Sequence, residues 1–213
     1  MKNLKQHKIL GSNRPVILLV LFFLIQILQI QAQHISNNGA YISITTGTFI
    51  GMDSITNYNS ATLVNNGTLT ITTLNNSAKV ENNETLAATN INNFGTFQNT
   101  EMVTATDVNN TETFENAGTL MATNVINSGT FENAGSFSAI ETNNTETLEN
   151  TGTLNVTKFI NEGNTLGDGT FNIVGDFTSS GTFFSGAGAV YMNGTSAQIM
   201  TIAAATFSNL TIN

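Results

Sequence analysis

The chain has 213 residues with 14 acidic and 6 basic side chains, two histidines and no cysteine. A net charge of −8 speaks against nucleic acid and anionic membranes as partners, because affinity for phosphate comes from Lys and Arg releasing counterions. Charged residues make up only 9% of the chain, which also separates it from the charge-rich disordered class and leaves Asn, Thr, Ser and Gly to supply the polar surface.

The first segment predicts an export signal over residues 1–32. Lys2, Lys5, Lys8 and Arg14 precede an unbroken apolar run from Val16 to Ile25, which Gln26 and Gln29 then dilute before Gln31-Ala32-Gln33. That order of basic, apolar and small or polar stretches fits a secretory signal cleaved after Ala32. The run falls short of the ~20 apolar residues that span a bilayer, so no membrane span is expected after cleavage. Beyond it, 14 acids face only Lys79 and Lys158, leaving a charge of −12. The absence of cysteine means that an exported chain takes its stability from something other than disulfides.

Residues 33–57 are rich in strand formers, as in Tyr41-Ile-Ser-Ile-Thr-Thr, but lie outside the period that follows, and are expected to form an N-terminal β cap. From Tyr58 the chain aligns on itself every 17 residues: NNTETFENAGTLMATNV from Asn109 and NNTETLENTGTLNVTKF from Asn143 are two of six gapless blocks. A seventh block, from Ile160, reads as carrying one extra residue around Asn164. One apolar column runs Leu63, Val80, Phe97, Phe114, Phe131, Leu148, and a second Leu69, Leu86, Val103, Leu120, Phe137, Leu154, then Phe171. A third runs Leu74, Ile91, Val108, Val125, Thr142, Phe159, and small apolar residues from Ile71 to Val156 make a fourth. Spacings of six, five and six residues suit short strands with alternate side chains inward, and helical spacing is absent. The pattern predicts an all-β, single-stranded β-solenoid, a three-faced β-helix of about 17 residues per coil over residues 58–176.

Two amide columns stand where the chain bends. One is Asn59, Asn76, Asn93, Asn110, Asn127, Asn144, Asn161; the other is Asn65, Asn82, Asn99, Asn116, Asn133, Asn150. An amide both donates and accepts, so Asn residues stacked at strand spacing are expected to bond up the stack as structural ladders. Residues 177–213 keep strand composition in a looser frame, either as further coils, as a cap, or as the end of a truncated piece.

The tail from Gly186, with Val190-Tyr-Met-Asn-Gly, Gln198-Ile-Met and Phe207-Ser-Asn-Leu-Thr-Ile-Asn, is similar to a unit common in large exported repeat proteins of Bacteroidetes-type bacteria. The Asn-x-Gly-Thr-Phe/Leu blocks resemble the β-helical shafts of filamentous-haemagglutinin-like adhesins. The resemblance implies a secreted or cell-surface adhesion or scaffold protein, with glycans or other surface proteins as partners and no catalytic residues to carry over. Many such proteins end in a sorting domain for outer-membrane secretion, and none is seen here.

The residues available for chemistry are few, and the chain reads as non-enzymatic. Past the leader there is no Arg, one His (His34) and two lysines in separate coils, too little to bind and deprotonate an acidic polysaccharide. Glu112, Glu115, Glu132, Glu146 and Glu149 offer carboxylate pairs of the glycosidase kind, but their recurrence in register reads as a solvated acidic edge. Calcium is a candidate for the same acids, against which stands the lack of any Asp-x-Asp spacing; no cofactor is expected. An ice- or surface-binding array is the other alternative. Thr111/Thr113 and Thr145/Thr147 would form it, while Phe94/Thr96 and Ser77/Lys79 interrupt it.

Overall fold

The computed structural model describes residues 34–213; the leader predicted over 1–32 lies outside the described residues. The repeat becomes one strand of four residues and one of nine per turn, as in Thr113–Asn116 followed by Thr119–Asn127. Each pairs in parallel with its counterpart one turn away, Phe114 with Phe131 and Leu120 with Phe137, an offset of 17 residues. The result is an all-β parallel solenoid. Within the nine-residue strands the pairing skips the fifth residue, so that Ala122 pairs with Ala139 and Asn124 with Glu141, but Thr123 has no partner. The ladder is therefore interrupted at that position.

Side chains alternate as the strand period requires. The four-residue strands carry Phe114, Phe131 and Leu148 inward at full burial, and the nine-residue strands do the same with Leu120, Phe137 and Leu154 in one half and Val125, Thr142 and Phe159 in the other. Leu86 and Val103 are equally buried, so the columns run without a break through the middle of the stack. Phe97, Phe114 and Phe131 stack nearly parallel, with centroids 4.5 and 4.9 Å apart. No 17-residue turn could bury these rings alone, and each gains its cover from the turns on either side.

Thr142 is the exception in its column. It stands fully buried between Val125 and Phe159, and its hydroxyl has no hydrogen-bond partner. Thr142→Val keeps the shape and removes the orphaned group. It is expected to raise stability by about 1 kcal/mol, read as a higher denaturant midpoint with an unchanged slope.

At the N-terminal end the turns are wider. Tyr41–Ile44 pairs with Thr62–Asn65 at an offset of 21 residues, and Phe49–Tyr58 with Thr68–Asn76 at an offset of 19. Residues 34–58 are thus strands of the same parallel stack. The additional residues sit in turns, one at Thr45–Thr48 around Gly47 (φ 76°) and one where Asn59 and Ser60 adopt φ of 54° and 62°. Asn visits this left-handed region at low cost because its short polar side chain bonds locally.

The frame shifts again beyond Ile173. Thr147 pairs with Asn164 and Val156 with Ile173 at the regular 17, whereas Phe159 pairs with Phe177 at 18. The extra residue expected around Asn164 therefore lies among Val174, Gly175 and Asp176, at the bend after the strand Thr170–Ile173. Residues 177–213 continue the stack in parallel, with Phe177–Phe184 pairing to Met200–Thr206 and Ala189–Met192 to Asn209–Ile212. Thr165 takes the place of an aromatic in the Leu148 column, and Phe183 above it packs against Phe159, Phe171 and Phe177.

Candidate functional site

The polar groups that the fold concentrates are the two corner columns of asparagine, and both are buried. In the first, Asn76 Nδ2 donates to Asn93 Oδ1, Asn93 to Asn110, Asn110 to Asn127, Asn127 to Asn144 and Asn144 to Asn161, at 2.7–2.9 Å. In the second, Asn65 donates to Asn82, Asn82 to Asn99, Asn99 to Asn116, Asn116 to Asn133 and Asn133 to Asn150, at 2.7–2.8 Å. The other amide hydrogen goes to a main-chain carbonyl one turn further on, as from Asn116 to Ser136 and from Asn93 to Thr113. Each corner is thereby tied to the start of a strand in the next turn. Every donor points toward the C-terminus.

Asn59 is not part of this chain of bonds. It donates to Asn38 Oδ1 in an exposed turn, and Asn57 occupies the ladder position instead, bonded to Asn76 at 2.9 Å and followed below by Asn37 at 2.8 Å. The two residues added at Asn59–Ser60 displace the column from a strict period of 17. A signal for both missed residues was present locally. Ile35-Ser-Asn37 and Ile55-Thr-Asn57 repeat the apolar-x-Asn triplet of Leu74-Asn-Asn76. At the other end the ladder passes from Asn161 to Ser179 Oγ at 3.0 Å and closes on the Gly181 carbonyl.

On the outside, the four-residue strands present a row of threonines beside a row of acids. Glu115, Glu132 and Glu149 lie in direct register, with Glu81 and Gln98 below them. Gln98 Nε2 donates to Glu115 Oε2 at 2.8 Å. Between this row and the adjoining turn runs a groove of 310 Å³ lined by Glu81, Asn83, Gln98, Thr100 and Glu115. It offers amide donors and carboxylate acceptors to a hydroxyl-rich ligand. Glu112 and Glu146 stand apart from the row, in the turns after Asn110 and Asn144.

The first halves of the nine-residue strands form a different surface. From Thr68/Thr70 to Thr170/Asn172 the outward pairs include no charged side chain. The threonine pairs singled out in the sequence do not lie on it: Thr111 and Thr145 are in turns, and Thr113 and Thr147 belong to the acidic strands.

His34 Nδ1 bonds the Ser54 hydroxyl at the exposed edge of the first turn, and Lys79 and Lys158 sit against Glu81 and Glu141. Among the described residues no group of three or more His, Asp or Glu side chains is placed to hold a metal ion, and no helix is long and apolar enough to cross a membrane. What the arrangement provides is a stiffened stack with the same few side chains displayed again in each turn. No protein-family model, curated protein or solved structure matches the chain.

Proposed function

We propose that this protein is an exported, non-catalytic structural or adhesin-like rod, released from its leader after Ala32 and acting as a secreted protein or at a bacterial cell surface through weak contacts repeated along its length. The observation that carries this reading is the register. Eight asparagines from Asn37 to Asn161 bond in one line through successive turns, so the stack is cross-tied at its corners as well as along its strands. At about 4.8 Å per turn, eight or nine turns make a rod on the order of 40 Å long. Repeated identical surfaces along such a rod raise avidity without any single strong site. A three-faced cross-section belongs to the same proposal. It is supported by the break in pairing at the fifth residue of each long strand, which divides a turn into three short ladders.

Glycans are the partner class that best suits the groove beside Glu115, because amides and carboxylates bond sugar hydroxyls without requiring a cation on the protein. The test is retention on an immobilised glycan panel together with small-angle scattering of the secreted product. Retention without turnover and an elongated β-rich particle are expected. Turnover that disappears in Glu115→Gln or Glu132→Gln would overturn the non-catalytic reading, and a compact helical particle would overturn the rod.

The uncharged surface from Thr68 to Asn172 favours a second reading, contact with a flat uncharged lattice such as ice. Strand geometry sets its outward groups on a grid of about 4.8 by 6.7 Å. Thermal hysteresis on freezing is the expected sign, and an ordinary freezing profile would dismiss it.

A further inference from the structure

We propose that the N-terminal edge of the stack is a docking site for the end of another parallel β-coil, one that carries a hydrogen-bond donor opposite Asn37. The proposal rests on the release of residues 1–32 proposed above. Asn37 is 2% exposed, and its Nδ2 group is used twice, on Asn57 Oδ1 at 2.8 Å and on the Thr62 carbonyl at 3.3 Å. Its Oδ1 is buried and has no partner among the described residues. In every turn from Asn57 to Asn161 the equivalent oxygen accepts from an amide one turn nearer the N-terminus. The donor that Asn37 lacks therefore belongs one turn beyond the edge. A buried acceptor without a donor costs free energy that a correctly placed group recovers.

Two further features suit the same occupant. Ile35, Ile42, Ile50 and Met52 point inward yet are only partly buried, whereas Ile55, Leu63, Leu69 and Ile71, their partners one turn up, are buried. The edge also lacks the charges and prolines with which sheet edges repel other strands. Between His34 and Tyr58 the one charged carboxylate is Asp53, and there is no Lys, Arg or Pro.

Among the described residues, the last turn does not meet the requirement. The asparagine column ends in Ser179, and the residue paired above Ser179 is Ile202. A second copy stacked head to tail would set Ile202 against Asn37 and leave Oδ1 orphaned. The apolar positions would match and the polar one would not. The partner proposed is therefore a coil with Asn, Gln, Ser or Thr at that place.

The chain itself supplies the probe. Ile202→Asn installs the missing donor on the C-terminal edge, and Ile202→Ser does so with a residue that the column already accommodates at 179. Sedimentation of the secreted products over a concentration series is expected to show monomers for the unaltered chain. Both variants should self-associate at least about tenfold more tightly. Adding Asn37→Leu to Ile202→Asn should reverse the gain, because the new donor then faces an apolar group. Intact mass reads removal of the leader separately, so a retained leader is told apart from a failed docking. Variants as monomeric as the unaltered chain would overturn the docking site. An unaltered chain that associates as tightly as its variants would show a second copy to be the occupant and overturn the donor requirement.

Discussion

Asn116→Leu is expected to lower stability by about 3–5 kcal/mol, although it exchanges a polar side chain for an apolar one of similar size at a buried position. Asn116 donates to Asn133 Oδ1 and the Ser136 carbonyl and accepts from Asn99 Nδ2, at 2.7, 3.0 and 2.7 Å. Leucine leaves two acceptors and one amide hydrogen buried without partners. Each such group costs about 1–3 kcal/mol, and part of that sum is recovered as the turns relax. For a chain of this size the melting temperature falls by roughly 2–4 °C per kcal/mol. Adding Asn133→Leu should cost less than a second full increment, because the bond between the two residues is already lost. Thermal melting of the single and double variants checks both statements. Melting unchanged by Asn116→Leu would mean that the ladder contributes nothing.

Phe114→Ala is expected to cost about 3–5 kcal/mol for a different reason. The ring is fully buried between Phe97 and Phe131, and its removal opens a cavity bounded above and below by aromatic faces. Neighbouring rings cannot collapse into the gap without drawing two backbones together, and the strand hydrogen bonds hold those at fixed spacing. Leucine at the same place should recover most of the loss, since Leu148 fills the equivalent position two turns on. Chemical denaturation of the three proteins orders them, and a deficit for Phe114→Leu as large as for Phe114→Ala would contradict the cavity account.

Much of the solenoid was legible because each column repeats one physical decision. Phe97, Phe114 and Phe131 recur in frame, and an inward aromatic is read equally well from any of them. Legibility ended where turns changed length. Asn59 satisfied the count of 17 and yet sits in a left-handed turn, because two residues were added in the loop while the strand frame of Ile55-Thr-Asn57 was preserved. The extra residue likewise falls at Val174–Asp176 and not around Asn164, since Asn164 and Thr165 remain in register although their types depart from the column. A period constrains position along the chain, whereas pairing constrains which side chains face inward. The two agree only while loops keep their length. The surface was less legible still. Which threonines share a face depends on where each strand ends, and Thr111 and Thr113 proved to be separated by a turn boundary.

The shared direction of the ladder bonds bears on how the molecule is built. Every completed turn leaves amide N–H groups aimed at the place the next turn will occupy, and contacts between turns close loops of only about 17 residues. Ordering of a short added segment is then rewarded at once, which favours rapid stepwise growth over a late global search. A chain that emerges N-terminus first meets a prepared template at each step, whereas growth from the C-terminal end would offer carbonyl acceptors to an amide still to be placed. The solenoid has a preferred direction of assembly written into its corners.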